Sequence, residues 1–369
     1  MQNHKLYKAV AIFSLLVLMV IILVYAKSFL VPLTFAALLS MLLLPVTKWL
    51  QGKGIHKAIS TLISILLLVG FFALVIFFIS WQLNDIAGDA SKLEQQIAEK
   101  YQQAKQYISE QFGISPEEQK KMIKEQQASS TAKTGSMVAG FLAGLGSFLG
   151  NTLLVIVYIF LFIYFRSRIK GFIVRLVKTE DESTALSIVN NAQKVSMKYL
   201  SGMFIMIVCL WIMYGIGFTI VGVKHAIFFA ILCGLLEIVP FVGNLTGTAL
   251  TIAMTLVQGG DMNIVIGILI VYGLVQFIQT YLLEPLVVGS EVNLNPLFTI
   301  IGLIAGETLW GIPGMVLAIP LMGMAKIVFD HIEPLKPYGY LIGEDKKEAD
   351  SGIKQKFKMF GEKVKSKFS

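Results

Sequence analysis

Three glutamates in the last third of the chain lie inside long apolar runs or at their ends, where carboxylates are rare. Glu237 lies within residues 235–243, Glu284 precedes Pro285, and Glu307 separates two apolar pieces. A charged side chain at membrane depth costs about 2.5–3.5 kcal/mol on insertion scales, so such groups usually face protein or water. These acids are therefore candidates for binding a proton, a cation or a polar solute. For each of the three glutamates the alternative stays open that it lies at a helix end and is simply solvated.

Helix-breaking residues accompany the first of these acids. Pro240 follows Glu237 by three positions, and Gly243 and Asn244 come shortly after. Proline cannot donate a backbone hydrogen bond and leaves carbonyl groups free. Transporters build binding sites from broken helices at membrane depth. We therefore predict a translocation or ion-binding site at this break.

A second polar group precedes Glu284. Gln276, Gln279 and Glu284 have the spacing i, i+3 and i+8, which places them close to one face of a helix. A polar stripe on an apolar helix is expected to face protein or water. This span is predicted to run over about 264–283 and to end at Glu284-Pro285.

The composition excludes most soluble functions. Apolar residues make up 56% of the 369 residues and charged residues 15%, whereas soluble domains carry about 25% charge. No phosphate loop, dinucleotide fingerprint or HExxH motif occurs, and the two cysteines and four histidines have no metal-ligand spacing. The net charge of +8 fits basic loops at one membrane face better than nucleic-acid binding. We expect no enzyme activity, cofactor, metal or nucleic-acid partner, and membrane lipid as the surroundings.

The apolar runs predict an all-α, polytopic membrane protein of about eight transmembrane helices, with broken or re-entrant segments in its C-terminal third. The predicted order is three spans (1–81), an extracytoplasmic helical insertion (82–136), a fourth span (137–165), a basic loop and surface helix (166–199), a membrane core (200–330) and a basic tail (331–369).

Two segments of that core are too long for one straight span. Residues 226–256 could be a kinked span, a broken span or a hairpin. Residues 296–326 are expected to be broken at Gly306, Gly311, Pro313 and Gly314, giving a short re-entrant segment at 297–304 and an eighth span at 312–329.

Lysine and arginine set the expected orientation. The N-terminus, the loops after spans two and four, and the tail are basic and share one side if there are eight spans, which places both termini in the cytoplasm. Two small-xxx-small patterns within residues 140–150 could be a homo-oligomer contact or a flexible helix end. An apolar stripe over residues 353–368, surrounded by lysines, predicts either a helix on an anionic membrane or a solvated tail.

Four motifs in order resemble those of the bacterial autoinducer-2 exporter (AI-2E) family. They are EIVPFVG at 237–243 after GV at 222–223, LEPLVVG at 283–289, NPL at 295–297 and WGIPGMVLAIPL at 310–321. The span layout fits as well. Asn244 departs from the pattern, because many members are expected to carry proline there.

The resemblance implies a transporter of the bacterial cytoplasmic membrane that exports a signalling molecule or another small solute. Some relatives are regarded as Na⁺(Li⁺)/H⁺ antiporters, and Glu237 is the carboxylate best placed for exchanging a proton and a cation. A membrane scaffold without transport activity is the alternative of another class. The substrate, the coupling ion and the oligomer number stay open.

Overall fold

Helices supply the regular structure throughout the part of the chain that the computed structural model describes, residues 2–88, 152–178, 181–239, 242–288 and 294–344. The one β feature among these residues is an isolated bridge between Leu294 and Gly343. The predicted all-α class is confirmed. The α-helices are α1 (Gln2–Tyr25), α2 (Lys27–Gly52), α3 (Lys57–Gly88), α4 (Thr152–Tyr164), α5 (Arg166–Arg175), α6 (Glu182–Val221), α7 (Ala226–Leu236), α8 (Val242–Val257), α9 (Met262–Ile278), α10 (Pro296–Trp310), α11 (Ile312–His331) and α12 (Lys336–Ile342).

Five helical segments are long and apolar enough to cross a membrane. They are Lys27–Gly52, Lys57–Gln82, Glu182–Val221, Met262–Glu284 and Ile312–His331. The pair α4 and α5, bent by 68° at Phe165, adds a sixth if it counts as one span. Large apolar side chains cover their outer surfaces, and Phe77, for example, is 72% exposed. Such a surface is stable in lipid and not in water. The multi-pass architecture is confirmed, whereas the count of eight spans is not.

The chain divides into two compact units. The first comprises Met1–Phe172 with Met197–Gly289, and the second comprises Ile173–Ser196 with Ser290–Ser369. Most of the insertion predicted at 82–136, the glycines of residues 140–150 and the tail stripe of 353–368 lie outside the described residues.

In the first unit, α2 and α3 pack through small hydroxyl side chains. Thr47 donates to the Ser64 hydroxyl at 2.9 Å, and Ser60 and Thr61 nearby are fully buried. Ser64 in turn donates to the Ser60 carbonyl at 2.8 Å, and the Ser60 and Thr61 hydroxyls donate to carbonyls one turn earlier. Each buried hydroxyl is therefore satisfied without water, and the small side chains let the two helices approach closely.

Helices α7 and α8 form a hairpin, which decides among the alternatives for residues 226–256. Gly247 lies directly against Cys233, and the Cys233 sulfur lies 3.7 Å from the Thr251 hydroxyl, so the two helices run antiparallel. Lys224 donates to the Gln258 carbonyl at 3.3 Å and joins the two ends of the hairpin. Regular helix stops at Leu236 and resumes at Val242; Pro240 itself lies outside the described residues.

Helix α9 belongs to the apolar span Met262–Glu284, which ends at Glu284 as predicted, but the helical structure itself continues further. It changes at Gln279 into a π-helix, Gln279–Val288, which contains both Glu284 and Pro285. A π-helix is wider than an α-helix and shifts its hydrogen bonds from i→i+4 to i→i+5. The proline therefore lies within a continuing helix, four residues of which follow the end of the apolar span.

The second unit contains another hairpin, formed by α10 and α11. The side chain of Asn295 caps α10 by accepting a hydrogen bond from the Leu297 N–H at 2.9 Å. The predicted break at Gly306 is wrong, because α10 continues through it to Trp310. Gly306 instead contacts Gly314 of α11, which also lies inside a helix. The chain reverses only at Gly311, whose φ of +67° favours glycine.

Candidate functional site

The polar residues of interest in the first unit gather at the tip of the α7–α8 hairpin. Glu237 immediately follows α7, and Asn244 lies in the first turn of α8. With 11 residues α7 is about 16 Å long, roughly half the thickness of a bilayer core. If α7 begins at one membrane face, its length would place Glu237 about halfway across the apolar layer.

Glu237 has a specific partner on the helix that follows the hairpin. The Gln279 side chain donates from Nε2 to Glu237 Oε1 at 2.8 Å. Glu237 is half-buried, whereas Gln279 is only 2% exposed. The other end of the Gln279 amide, Oε1, is buried and has no donor in the described part of the chain. The pair thus presents a carboxylate next to an amide oxygen that lacks a partner.

A second chain of hydrogen bonds joins three helices beside this pair. The Tyr214 hydroxyl of α6 donates to Asn244 Oδ1 at 3.1 Å, and Asn244 Nδ2 donates to Gln276 Oε1 of α9. Asn244 is 4% exposed and Tyr214 is fully buried. These hydrogen bonds hold α6, α8 and α9 together around the hairpin tip. Asparagine at position 244 supplies both a donor and an acceptor here, which the proline expected there could not.

Asn244 also begins a polar stripe along α8. Thr248, Thr251 and Thr255 follow it at spacings of four, three and four residues, and all are buried. The Thr251 and Thr255 hydroxyls donate to the carbonyls of Gly247 and Thr251, both at 2.8 Å. The Thr248 hydroxyl has no partner among the described residues. A buried hydroxyl without a partner is unfavourable unless it binds something outside the chain.

The threonine stripe and Tyr214 were not predicted from the sequence. The spacing of the threonines follows the period of a helix and could have been found by applying that period to residues 242–257. For Tyr214 the signal was weaker, namely one phenolic hydroxyl inside an apolar span.

The two remaining glutamates are not hydrogen-bonded into this network. Glu284 is exposed on the π-helix. Glu307 is exposed near the end of α10, in the second unit. Pro285 lies within the π-helix beside Glu284.

Gly243 has a packing role at the hairpin tip. It is buried, and a Cβ at this position would collide with the Leu236 carbonyl. Glycine is therefore needed for the two limbs to meet here.

The chemistry of the site is that of oxygen and amide groups. Among the described residues there is no group of three or more His, Cys, Asp or Glu side chains that could hold a metal ion in the usual way. Carboxylate, amide and hydroxyl oxygens can accept hydrogen bonds from a polar solute, and they are also the ligands that hard cations prefer.

Several apolar spans and a hairpin of short helices with a buried polar tip define a multi-pass α-helical membrane protein. Residues 12–333 match the family described as AI-2E family transporter. Because the match covers most of the chain, the protein belongs to this family of membrane transporters.

Individual relatives agree with this assignment. YrrI of Bacillus subtilis strain 168 is 24% identical over 314 residues, covering 83% of this chain and 87% of that protein. YueF of the same organism is 27% identical over 186 residues, which is 49% of each chain. YhhT of Escherichia coli K12 is 22% identical over 307 residues, covering 82% of this chain and 84% of that protein. Each is named only as a candidate transport protein, and none of the three names states a substrate.

Proposed function

We propose that this chain is a secondary or facilitative transporter that exports a small polar solute, such as an autoinducer-2-like signalling molecule. The observation that carries the proposal is the buried polar tip of the α7–α8 hairpin, where Glu237, Asn244, Gln276 and Gln279 meet. A polar cluster at this depth is costly in a purely structural role. A solute bearing hydroxyl groups would offset that cost by forming hydrogen bonds with it.

The energy source would be a gradient. The chain has no phosphate loop that could bind a nucleotide. Passage would therefore require the polar tip to open to each side of the membrane in turn, as in other transporters with broken helices. Gln279 Oε1 and the Thr248 hydroxyl, which have no partner within the described residues, are the groups that would gain most from contact with the solute.

Exchange of Na⁺ or Li⁺ for H⁺ is the second candidate, and one specific observation favours it. Glu237 accepts one hydrogen bond from Gln279, and the amide oxygen of the same glutamine has no donor in the described structure. A carboxylate and an adjacent free amide oxygen together suit a small monovalent cation. Protonation of Glu237 would remove the negative charge that holds the cation, so the two ions would compete.

Flux measurements on purified protein in sealed liposomes test both candidates. Without ATP, the protein should move either small polyols down their gradient or Na⁺ and Li⁺ against H⁺. Glu237→Gln should abolish cation exchange, because glutamine cannot be ionised, whereas export of a neutral solute should persist since glutamine still forms hydrogen bonds. Glu182→Gln, which changes an exposed acid in the first turn of α6, is the matched control.

The absence of every flux in correctly oriented vesicles would rule out the proposal. In that case the alternative is a membrane scaffold, which requires that Glu237, Glu284 and Glu307 can be neutralised together without loss of phenotype and that a partner protein co-purifies. For export, Glu284, Glu307, Pro240 and Pro285 remain candidates as lining of the pathway.

The proposed location is the bacterial cytoplasmic membrane with both termini in the cytoplasm. The orientation is inferred from the basic segments of the sequence. The N-terminus, the α2–α3 turn, α5 and the tail are basic, and the positive-inside rule favours placing them on the cytoplasmic side. Reaction of single cysteines at residues 53 and 82 with an impermeant reagent tests this orientation. A homo-oligomer is also proposed, and cross-linking in membranes tests it.

A further inference from the structure

A cluster of cations and amide groups lies where three helices of the first unit end. The turn between α2 and α3 carries Lys53, and Arg166 begins α5 just after the bend from α4. Arg166 Nη2 donates to Gln51 Oε1 at 2.9 Å, which fixes the end of α4 beside the α2–α3 turn. Lys57, the first residue of α3, places its ammonium 5.1 Å from the centre of the Tyr164 ring.

The turn itself is held in one shape. Backbone hydrogen bonds run from Lys53 N–H to the Leu50 carbonyl at 3.1 Å and from Gly54 N–H to the Gln51 carbonyl at 3.0 Å. Lys53 places its ammonium 3.7 Å from the centre of the Trp49 ring, a cation–π contact. The positive groups are therefore positioned by the fold and are not spread at random over the surface.

Two features show that this cluster has no negative partner among the residues that the structure describes. Residues 27–82 and 152–178, which contain it, have no Asp or Glu. In addition, Arg166 Nη1 and Gln51 Nε2 are buried donors with no acceptor in the structure as described. A buried donor without an acceptor is unfavourable. Both observations point to an anionic acceptor that the described residues do not supply.

We propose that this cluster, defined as Gln51, Lys53, Lys57 and Arg166, binds the phosphate of an anionic phospholipid headgroup. The phosphate oxygens would accept from the Arg166 and Gln51 donors, and the two lysines would balance the charge. Arginine is well suited to phosphate because its planar donors match two oxygens at once.

The surroundings favour a lipid over a free phosphate ion. The cluster lies at the ends of apolar helices, whose neighbouring side chains Ile59 and Leu62 are 52% and 50% exposed and suit acyl chains. Trp49 is 60% exposed beside Lys53, as aromatic residues often are at the level of lipid headgroups. Basic pockets between transmembrane helices are known sites for anionic headgroups.

The test uses the full chain purified in a neutral detergent and needs no transport activity. Dioleoylphosphatidylglycerol, dioleoylphosphatidylcholine or soluble glycerol 3-phosphate is added, and retained lipid is counted by native mass spectrometry while the Tm is measured. Phosphatidylglycerol should be retained and should raise the Tm, and the other two should do neither. Lys53→Gln/Arg166→Gln should weaken retention roughly 30-fold, because two cations near an anionic headgroup are lost.

A matched control removes the same charge elsewhere. Lys8→Gln/Lys27→Gln changes two exposed lysines away from the cluster, one of them at the opposite end of α2, and should retain phosphatidylglycerol like the unmodified chain. Equal losses in both double variants would overturn the proposal, since general charge attraction would then suffice. An equal effect of glycerol 3-phosphate would also overturn it, in favour of a free phosphate site. If the Arg166 variant fails to fold, Lys53→Glu at an exposed position should still abolish retention, and full retention there refutes the site.

Discussion

The closest approach between α7 and α8 provides the sharpest test of the hairpin. At Gly247, an added Cβ would lie 2.9 Å from the Cys233 sulfur and 3.0 Å from the Cys233 Cα. Real Cβ atoms rarely approach other atoms so closely, so Gly247→Ala must push the two limbs apart. Gly273 of α9 offers a matched control, because a Cβ there meets nothing within 4 Å.

The expected magnitudes follow from two opposing terms. Replacing glycine by alanine inside a helix stabilises it by about 0.5–1 kcal/mol. Overpacking a buried contact costs about 1–3 kcal/mol. Gly273→Ala should therefore raise the free energy of unfolding by up to about 1 kcal/mol, whereas Gly247→Ala should lower it by about 0.5–2 kcal/mol.

Unfolding in mixed micelles with increasing denaturing detergent measures these free energies, and flux in liposomes shows whether the tip is disturbed as well. Cys233→Ala removes the sulfur but leaves the Cα in place, so the double variant Cys233→Ala/Gly247→Ala should be less destabilised than the sum of the single changes. If Gly247→Ala proves as stable as Gly273→Ala, or if the double variant is strictly additive, the hairpin packing described above is wrong.

Three further predictions concern other parts of the chain. Tyr214→Phe removes the donor to Asn244 and should lower the free energy of unfolding by about 0.6 kcal/mol, up to about 1.7, the range measured for hydrogen bonds between membrane helices. In an Asn244→Leu background the hydrogen bond is already absent, so adding Tyr214→Phe should cause no further loss. Asn295→Ala should cost about 0.5–2 kcal/mol in unfolding because the cap on the Leu297 N–H is lost, and Asn295→Asp should retain most of the stability. A peptide of residues 351–369 should become helical with anionic vesicles and not with neutral ones by circular dichroism, and equal helicity in both would contradict a membrane-surface helix.

Much of the site could be predicted because a polar residue inside an apolar run is conspicuous. Glu237, Asn244, Gln276 and Gln279 were all candidates, and the structure brings all four to the hairpin tip. Which of these side chains hydrogen-bond to each other could not be derived, because the contacts depend on the α7–α8 hairpin, and the sequence left open whether that hairpin exists. The proposed role of these residues in transport stays a prediction.

The failed predictions concern helix boundaries at glycine and proline. Gly306 was expected to break a helix, yet it serves as a contact with Gly314. A glycine inside a membrane helix also permits close packing against a neighbouring helix, which offsets its conformational cost. Sequence alone does not distinguish a glycine that breaks a helix from one that serves as a packing contact within it. At Glu284-Pro285 the apolar span ends as expected, but the helix does not, because a π-helix continues through the proline to Val288.

The short limbs of the α7–α8 hairpin also bear on how the protein is made. A segment needs about 20 apolar residues to enter a bilayer on its own, and these limbs have 11 and 16. The longer helices α6 and α9 flank the hairpin, and the Lys224–Gln258 hydrogen bond closes its base. We therefore expect the hairpin to settle last during biosynthesis, after α9 has left the ribosome and α6 and α9 provide a protein surface for Glu237. A chain truncated before α9 should leave residues 226–257 outside the bilayer core and open to early degradation.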